Sequence, residues 1–516
     1  MIRPLLILTL VLTAFTGASA QTPDDTTLVI AQGSDSSSLD PASLSSIAAA
    51  NIARHLWGTL LEITPEGEIV PYLAESYEVS ESGTEISFIL RQGLTCQDGE
   101  ALTAEDVVYT FERAADPENA FTGNTPGFIF DSLGYQGARV DGELTATILT
   151  DSYNAIAPGL LAEVYIHCKD SYEAMSLEKA AVNPVGSGPY GFREWLRDDR
   201  LVLQKASDFT LRDAKFETLV WRVIPEASTR AAELIAGNID IADAIEPDQI
   251  ETVESSDAAS VQSVQGTQRV YVGFNLGDTF SAAEGGAAIQ ETAVRVALQY
   301  AVDVPTICET LLGTSCERAT GLVNPPNDNP DLEPYPYDPD MAEQLLDEAG
   351  YPRGDDGVRF SLALQVPSGR AYTDSALAVG QYLSDIGVET KVELQDFSAV
   401  FVPNLIAHES GPLFVIGSGG ATWSALYDMA DIRTPDGATN YSEWSNPEWF
   451  SGWERLSQTR DEAAQREIIN EMLTVFYNDP PWLMLYFQPN FYGVSERLTW
   501  EARRDGRIVV LNAHLK

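Results

Sequence analysis

Between Val70 and Arg113 the chain writes a strand, a turn and a helix in close succession, VPYLAESYEVSESGTEISFILRQGLTCQDGEALTAEDVVYTFER, and that order leaves the local fold little freedom. Ile86, Phe88 and Leu90 alternate with Ser87, Ile89 and Arg91, the period of a strand with one buried face. Asp98-Gly99 supplies a turn whose glycine accepts a positive φ. Thr103 then caps a helix that places Glu105 and Asp106 at its positive end and Val107, Val108 and Phe111 along its buried stripe. Nothing in the stretch is catalytic chemistry. It is scaffold.

A chain of 516 residues, 44% hydrophobic and 21% charged, should fold into two or more globular domains. Its first twenty residues stand apart. Arg3 forms a minimal basic start, Leu5 to Phe15 an apolar run, and Ala18-Ser19-Ala20 a small-residue cleavage site before Gln21. This predicts a secretory signal peptide cleaved after Ala20, since the apolar run is too short to span a bilayer. No cysteine adjoins the cleavage site, so the expected product is exported and not lipid-anchored. Export permits disulfides, and the four cysteines, Cys96, Cys168, Cys308 and Cys316, can pair in three ways. Proximity favours Cys308 with Cys316, leaving Cys96 for Cys168. No Cys-x-x-Cys spacing supports the rival metal site.

The 77 acidic residues against 31 basic ones repel nucleic acid and anionic membranes. The acids are spread along the chain, the pattern of a solvated acidic coat suited to a salty medium; a site for cationic ligands is the other reading. The four histidines form no His-Glu-x-x-His pair, and Gly186-Ser187-Gly188 and Gly417-Ser418-Gly419 both miss the spacing of a nucleophile elbow. No catalytic residue, metal site or cofactor loop is marked out. Farther along, Leu144 to Leu149 and Glu163 to His167 read as strands, and Asp338 caps a helix with Pro339 at its first position. Strand Phe360 to Gln365, helix Asp374 to Ile386, the Gly387 stop and strand Val388 to Leu394 predict a βαβ unit with parallel strands.

Taken together, Pro71-Tyr72-Leu73-Ala74-Glu75-Ser76-Tyr77, Leu90-Arg91-Gln92-Gly93, Asp98-Gly99 and Leu102 to Val107 resemble the signature region of the family 5 bacterial solute-binding proteins. The resemblance continues in Leu39-Asp40-Pro41, in Gly186-Ser187-Gly188-Pro189-Tyr190, in the run Arg295, Ala297, Leu298, Tyr300, Ala301 and Asp303, and in Asn440-Tyr441-Ser442-Glu443-Trp444-Ser445-Asn446-Pro447. It implies an α/β fold of the type II two-lobe periplasmic class, with an extra subdomain in the first lobe. The implied division is a signal peptide over 1–20, lobe I over 21–57, an inserted subdomain over 58–184, lobe I again over 185–275, lobe II over 276–484, and a return to lobe I over 485–516. The chain would cross between lobes near Asn275 and again near Leu485.

The implied function is that of a monomeric periplasmic receptor of an ABC importer. It would close on a small solute, a di- or oligopeptide first, and deliver it to the membrane permease and its ATPases without a cofactor. The alternatives are a same-family receptor for an opine, an oligosaccharide or a glutathione-like solute, a sensor or chaperone of the same fold, or a secreted hydrolase; the family's nickel receptors are set aside because no histidine stands at the expected strand ends. The expected ligand contacts are Gln32, Ser34 and Asp35 after the first strand, Asn275 at the crossing, Ser418, Gly419 and Gly420 at the end of an apolar strand, and Trp423, Tyr427, Asp428 and Trp444 beyond it. Peptide receptors of the family carry an Asp just after this glycine strand to hold an α-ammonium. Here the place reads Ala421-Thr422-Trp423. Either Asp428 or Asp35 takes that duty, or the ligand lacks a free amino terminus.

Overall fold

The computed structural model describes residues 23–277, 285–314, 316, 318–325, 327–368, 372–419, 424–437 and 439–516. After the strand β1 (Thr27–Gln32), the Leu39-Asp40-Pro41 turn leads to α1 (Ile47–Leu56). The aspartate explains that turn. Its carboxylate caps Ala42 N and receives two bonds from the buried Arg113 guanidinium, at 2.9 and 2.5 Å, so the turn is tied to the inserted subdomain. That subdomain holds β2 (Ala74–Val79), β3 (Glu85–Leu90), α2 (Ala104–Ala115), β4 (Tyr135–Gly142) and β5 (Thr145–Thr150). These four strands form one antiparallel sheet ordered β2-β3-β5-β4, beside a separate two-stranded pair of Leu61–Ile63 with Ile69–Pro71. Ile86, Phe88 and Leu90 are buried as their alternation predicts, and Thr103 and Asp106 close a capping box. The Cys96–Cys168 disulfide fastens the subdomain, and Cys308–Cys316 closes a short loop elsewhere, the two pairs that proximity favours.

The main sheet adds β6 (Tyr190–Leu196), β7 (Arg200–Lys205), β8 (Thr218–Val223), β9 (Ile241–Ala242), β10 (Ala259–Phe274), β11 (Phe360–Pro367), β12 (Val388–Gln395), β13 (Leu413–Ser418) and β14 (Trp482–Ser495). With β1 they form a single ten-stranded sheet ordered β12-β11-β13-β10-β14-β9-β1-β8-β7-β6. Helices and loops cover both faces of each half, which is why β1, β13 and much of β14 read as apolar runs. The unit β11, α3 (Thr373–Asp385) and β12 is the parallel βαβ crossover that the sequence order predicts. Both halves use one device to start a helix. Arg230 Nη1 binds the carbonyls six and five residues before it, Ile224 and Pro225, at 2.8 and 2.9 Å, and Arg295 Nη1 binds Ile289 and Gln290 in the same way at the same distances.

Two strands belong to both halves. Residues Ala259 to Gln265 of β10 pair with Pro489 to Ser495 of β14 beside β9, whereas Arg269 to Gly273 pair with Trp482 to Phe487 beside β13. The register shifts between Gln265 and Arg269, leaving extra residues on β10. Gly266 sits in this bulge, where an added Cβ would stand 2.3 Å from the Gln488 carbonyl oxygen. The sequence reading put the crossings near Asn275 and Leu485; the change of sheet neighbours falls at Gln265–Arg269 and Phe487–Pro489, inside unbroken strands that local pattern does not divide. A further difference concerns Glu163 to His167, expected as a strand. Only Tyr165 bridges, to Thr59, because the segment runs beside the Gly58–Thr59 link and not along a sheet.

Candidate ligand cleft between the lobes

The two halves of the sheet and the inserted subdomain meet around a cavity of about 330 Å³. Its lobe I wall is the segment Leu44 to Ile47 that enters α1, with Asp505 and Arg507 from the C-terminal return. The subdomain supplies Thr125, Phe128, Glu163 and Tyr165, and the far lobe supplies Gly419 and Tyr427. Ile47 is 56% and Phe128 50% exposed, high for apolar side chains and placed where a ligand would cover them. Across the cleft the Phe128 and Tyr427 rings meet edge to face at 5.8 Å. Smaller contacts and voids continue the interface. A cavity of about 270 Å³ lies between Gly134 and Trp453, and one of about 550 Å³ between Tyr77 and Arg466. At the outer rim Arg460 donates to the carbonyls of Ser80 at 3.2 Å and Glu81 at 2.5 Å and lies 5.0 Å over the Tyr153 ring.

The residues singled out in the sequence are scattered by the fold. Gly419 and Tyr427 line the cleft. Gly419 has φ of +85°, and a Cβ there would stand 2.7 Å from Arg269 Nη1, so the strand end passes close over that guanidinium. Asp428 lies behind the wall. Its carboxylate takes Arg269 Nη1 at 3.0 Å and the backbone and side-chain nitrogens of Asn324 at 3.1 and 2.9 Å. Burial raises its pKa to about 6 against the pull of Arg269, and burial likewise raises Asp431, which shares that guanidinium. Asp35 accepts from Trp195 Nε1 at 3.1 Å and from the backbone N–H groups of Asp198 and Ser36. Both carboxylates considered for an α-ammonium are therefore already engaged inside the protein.

Ser34 is exposed beside Asp35. Gln32, at the end of β1, is buried with neither atom of its side-chain amide hydrogen-bonded. Asn275 is buried between Ser410 O at 2.9 Å and Gly277 N at 3.1 Å, holding backbone together. Ser418 ends β13 opposite Arg269. Trp444 is core, its indole N–H on Asp479 at 2.9 Å and its ring against Trp449 and Phe476. Gly420 and Trp423 lie outside the described residues. Missed from sequence were Ser45 to Ile47, Phe128, Tyr165 and Arg507. The Ser45-Ser46 pair before a helical run was legible as a cap, but nothing in it says that the helix start opens on a cleft. Among the described residues no group of three His, Cys, Asp or Glu side chains could hold a metal ion, and no helix is long and apolar enough to cross a membrane.

Two α/β lobes joined by shared strands, with a cavity at their interface, define a two-lobe binding protein of the type II class, the architecture of proteins that hinge shut on a ligand. The sequence profile of the bacterial extracellular solute-binding proteins, family 5 (middle), matches residues 68–440, and the chain belongs to that family. Among curated relatives it is 25% identical to the glutathione-binding protein GsiB of Pectobacterium atrosepticum, over 91% of this chain and 90% of the relative. Among solved structures it resembles the ABC transporter substrate-binding protein CtaP of Listeria monocytogenes, with 20% identity, a TM-score of 0.82 and coverage of 96% and 100% of the two chains. The DppA binding protein of Helicobacter pylori, solved with the peptide STSA, aligns at 20% identity with a TM-score of 0.72 over 95% and 98%. Members of the family are solute-binding proteins that take up small ligands for ABC permeases.

Proposed function

We propose that this protein is the exported solute receptor of an ABC importer, released by signal-peptide cleavage after Ala20 and acting as a monomer without catalysis. Its lobes close over a small solute, a short peptide or peptide-like molecule, and present it to the permease subunits. The observation that carries this reading is the cavity between the lobes, walled by exposed Ile47 and Phe128 on one side and by Gly419 and Tyr427 on the other. The bulge at Gln265–Arg269 supports a hinge there, because two ladders with different neighbours can rotate about it with little loss of pairing. Gly419 and Tyr427 are the proposed contacts on the far lobe. Asp428 holds that wall through Arg269 and does not reach the ligand.

The relative named for glutathione makes that tripeptide the first ligand to try, followed by di- and tripeptides. Thermal-shift titration with mass spectrometry of the incubated solutes tests the reading. A saturable rise in melting temperature with the solute recovered intact supports a receptor. Turnover of the solute would refute it.

A further inference from the structure

The lobe I wall of the cleft carries an inversion of the chain's charge. The segment Ser45, Ser46 and Ile47 opens α1, a helix of ten residues, so the positive end of its dipole lies at the cavity that these residues line. Ser46 satisfies Ala49 N with its hydroxyl and Ala50 N with its carbonyl, while the earlier N–H groups have no partner within the helix. Beside them Arg507 donates to Glu163 Oε2 at 3.0 Å, and Arg54 donates to Oε1 of the same carboxylate at 2.5 Å. Two guanidiniums therefore share one carboxylate, leaving a surplus positive charge. Asp505, also in the wall, is cancelled by a two-pronged bond from Arg503.

A second observation is independent of the helix. Tyr165 lines the same cavity, is 5% exposed, and its hydroxyl has no hydrogen-bond partner. Burial raises its pKa, so the hydroxyl keeps its proton as a donor. Arg54, whose buried Nε is likewise unpartnered, borders the adjacent cavity of about 310 Å³, which Tyr165 separates from the cleft. Leaving such donors dry is unfavourable, and they wait for an acceptor. The other nearby carboxylates do not fill the role: Glu62 is paired with Arg212, and Glu501 is exposed on the neighbouring cavity. On the opposite wall Asp428 and Asp431 are both taken by Arg269.

We propose that this corner, formed by the start of α1, Arg507 and Tyr165, binds the carboxylate of the solute, so that the cargo is a small organic acid read through its acid end. The inference rests on the receptor reading above and narrows its ligand class. The acidic coat opposes an anion at long range, but salt screens exposed charges beyond about 8 Å while contacts inside the cleft persist. Raising salt should therefore quicken association of the acid.

The test uses the full mature protein and a panel of glutathione, dialanine, alanyl-glutamate and N-acetyl-dialanine, each beside its carboxamide, in calorimetric titrations. The expected result is binding of acids and loss of binding on amidation. Tyr165→Phe removes one buried hydroxyl that no protein group uses, so it should raise the melting temperature of the unliganded protein slightly while weakening acid binding about tenfold, the worth of a hydrogen bond to a charged group. Arg507→Gln should weaken acid binding further than Tyr165→Phe does, narrowing the difference between each acid and its carboxamide. Amides that bind as well as acids, or a Tyr165→Phe protein with unchanged affinity for the acids, would overturn the proposal and leave the receptor reading standing. Should no panel member bind, native mass spectrometry of the purified protein decides. A co-purified carboxylic acid supports the proposal, a co-purified solute without one overturns it, and the absence of any solute counts against both readings.

Discussion

His55 should make lobe I unusually sensitive to mild acid. It is fully buried on α1, with Nδ1 2.7 Å from Asn51 O and Nε2 accepting the Val510 N–H at 3.1 Å. Together with the Asn51 side chain, which accepts from Ile508 N at 2.9 Å, it straps the C-terminal return onto the helix whose other end opens the cleft. This arrangement needs a neutral ring protonated on Nδ1. A second proton would set an Nε2–H against the Val510 N–H and place a charge beside Trp221. Burial, with Arg54 adding to it, pushes the pKa down to about 4 from 6.5. The sign follows. Between pH 6.5 and about 4 the unfolded chain binds the proton and the folded one does not, so stability rises with pH across that window and is lost as pH falls through it. From pH 7 to pH 4.5 the lost stabilisation is about 2–3 kcal/mol, at about 1.4 kcal/mol for each pH unit of displacement. The carboxylates also respond to acid, so the assay is a difference. Urea unfolding followed by tryptophan fluorescence is run at both pH values for the wild type and for His55→Gln, which retains an acceptor. The wild type should lose about 2–3 kcal/mol more than the variant. Parallel losses, or a midpoint near 6.5 for this ring in an NMR titration of the folded protein, would refute the reasoning.

Other perturbations test the hinge, the rim and the staple. Gly266→Val places side-chain atoms against the Gln488 carbonyl in the shared ladder, so it should lower stability by about 1–3 kcal/mol and blunt the ligand-induced fall in radius of gyration seen by small-angle scattering. Arg460→Ala removes the rim contacts to Ser80, Glu81 and Tyr153; it should weaken solute binding about fivefold, chiefly through faster dissociation in stopped-flow traces, with little change in the unliganded melting temperature. Replacing Cys96 and Cys168 together by serine opens a link of 72 residues and should destabilise the protein by about 4 kcal/mol on the chain-entropy account, read as a drop in urea midpoint that reducing agent reproduces in the wild type.

Much of the architecture was legible because its signals are local. The alternation in Glu85–Leu90, the Thr103 cap, the Asp338-Pro339 helix start and the Gly387 stop each act within a few residues, and the structure keeps all of them. Glu163 to His167 misled because apolar residues facing a core read alike whether they pair in a sheet or only lie beside one. Aromatic and acidic residues near the glycine strand were candidates on position alone. Asp428 and Trp444 proved to be engaged inward, by Arg269 and Asp479, partners 159 and 35 residues away.

The sequence by itself carried the α/β character through periodicity, caps and turns, and the family with its two-lobe fold through a motif order that resembles the family's; it favoured the cysteine pairs that form without deciding between the three pairings. Only the tertiary structure decided which side chains face the cleft. Ile47, Phe128, Tyr165, Tyr427 and Arg507 come from five distant stretches, and they meet because β10 and β14 run through both halves of one sheet and bring the lobes face to face. A cleft is made by how two packed bodies are set against each other. No local run of residues encodes that setting, so the scaffold can be read along the chain while the site must be read across it.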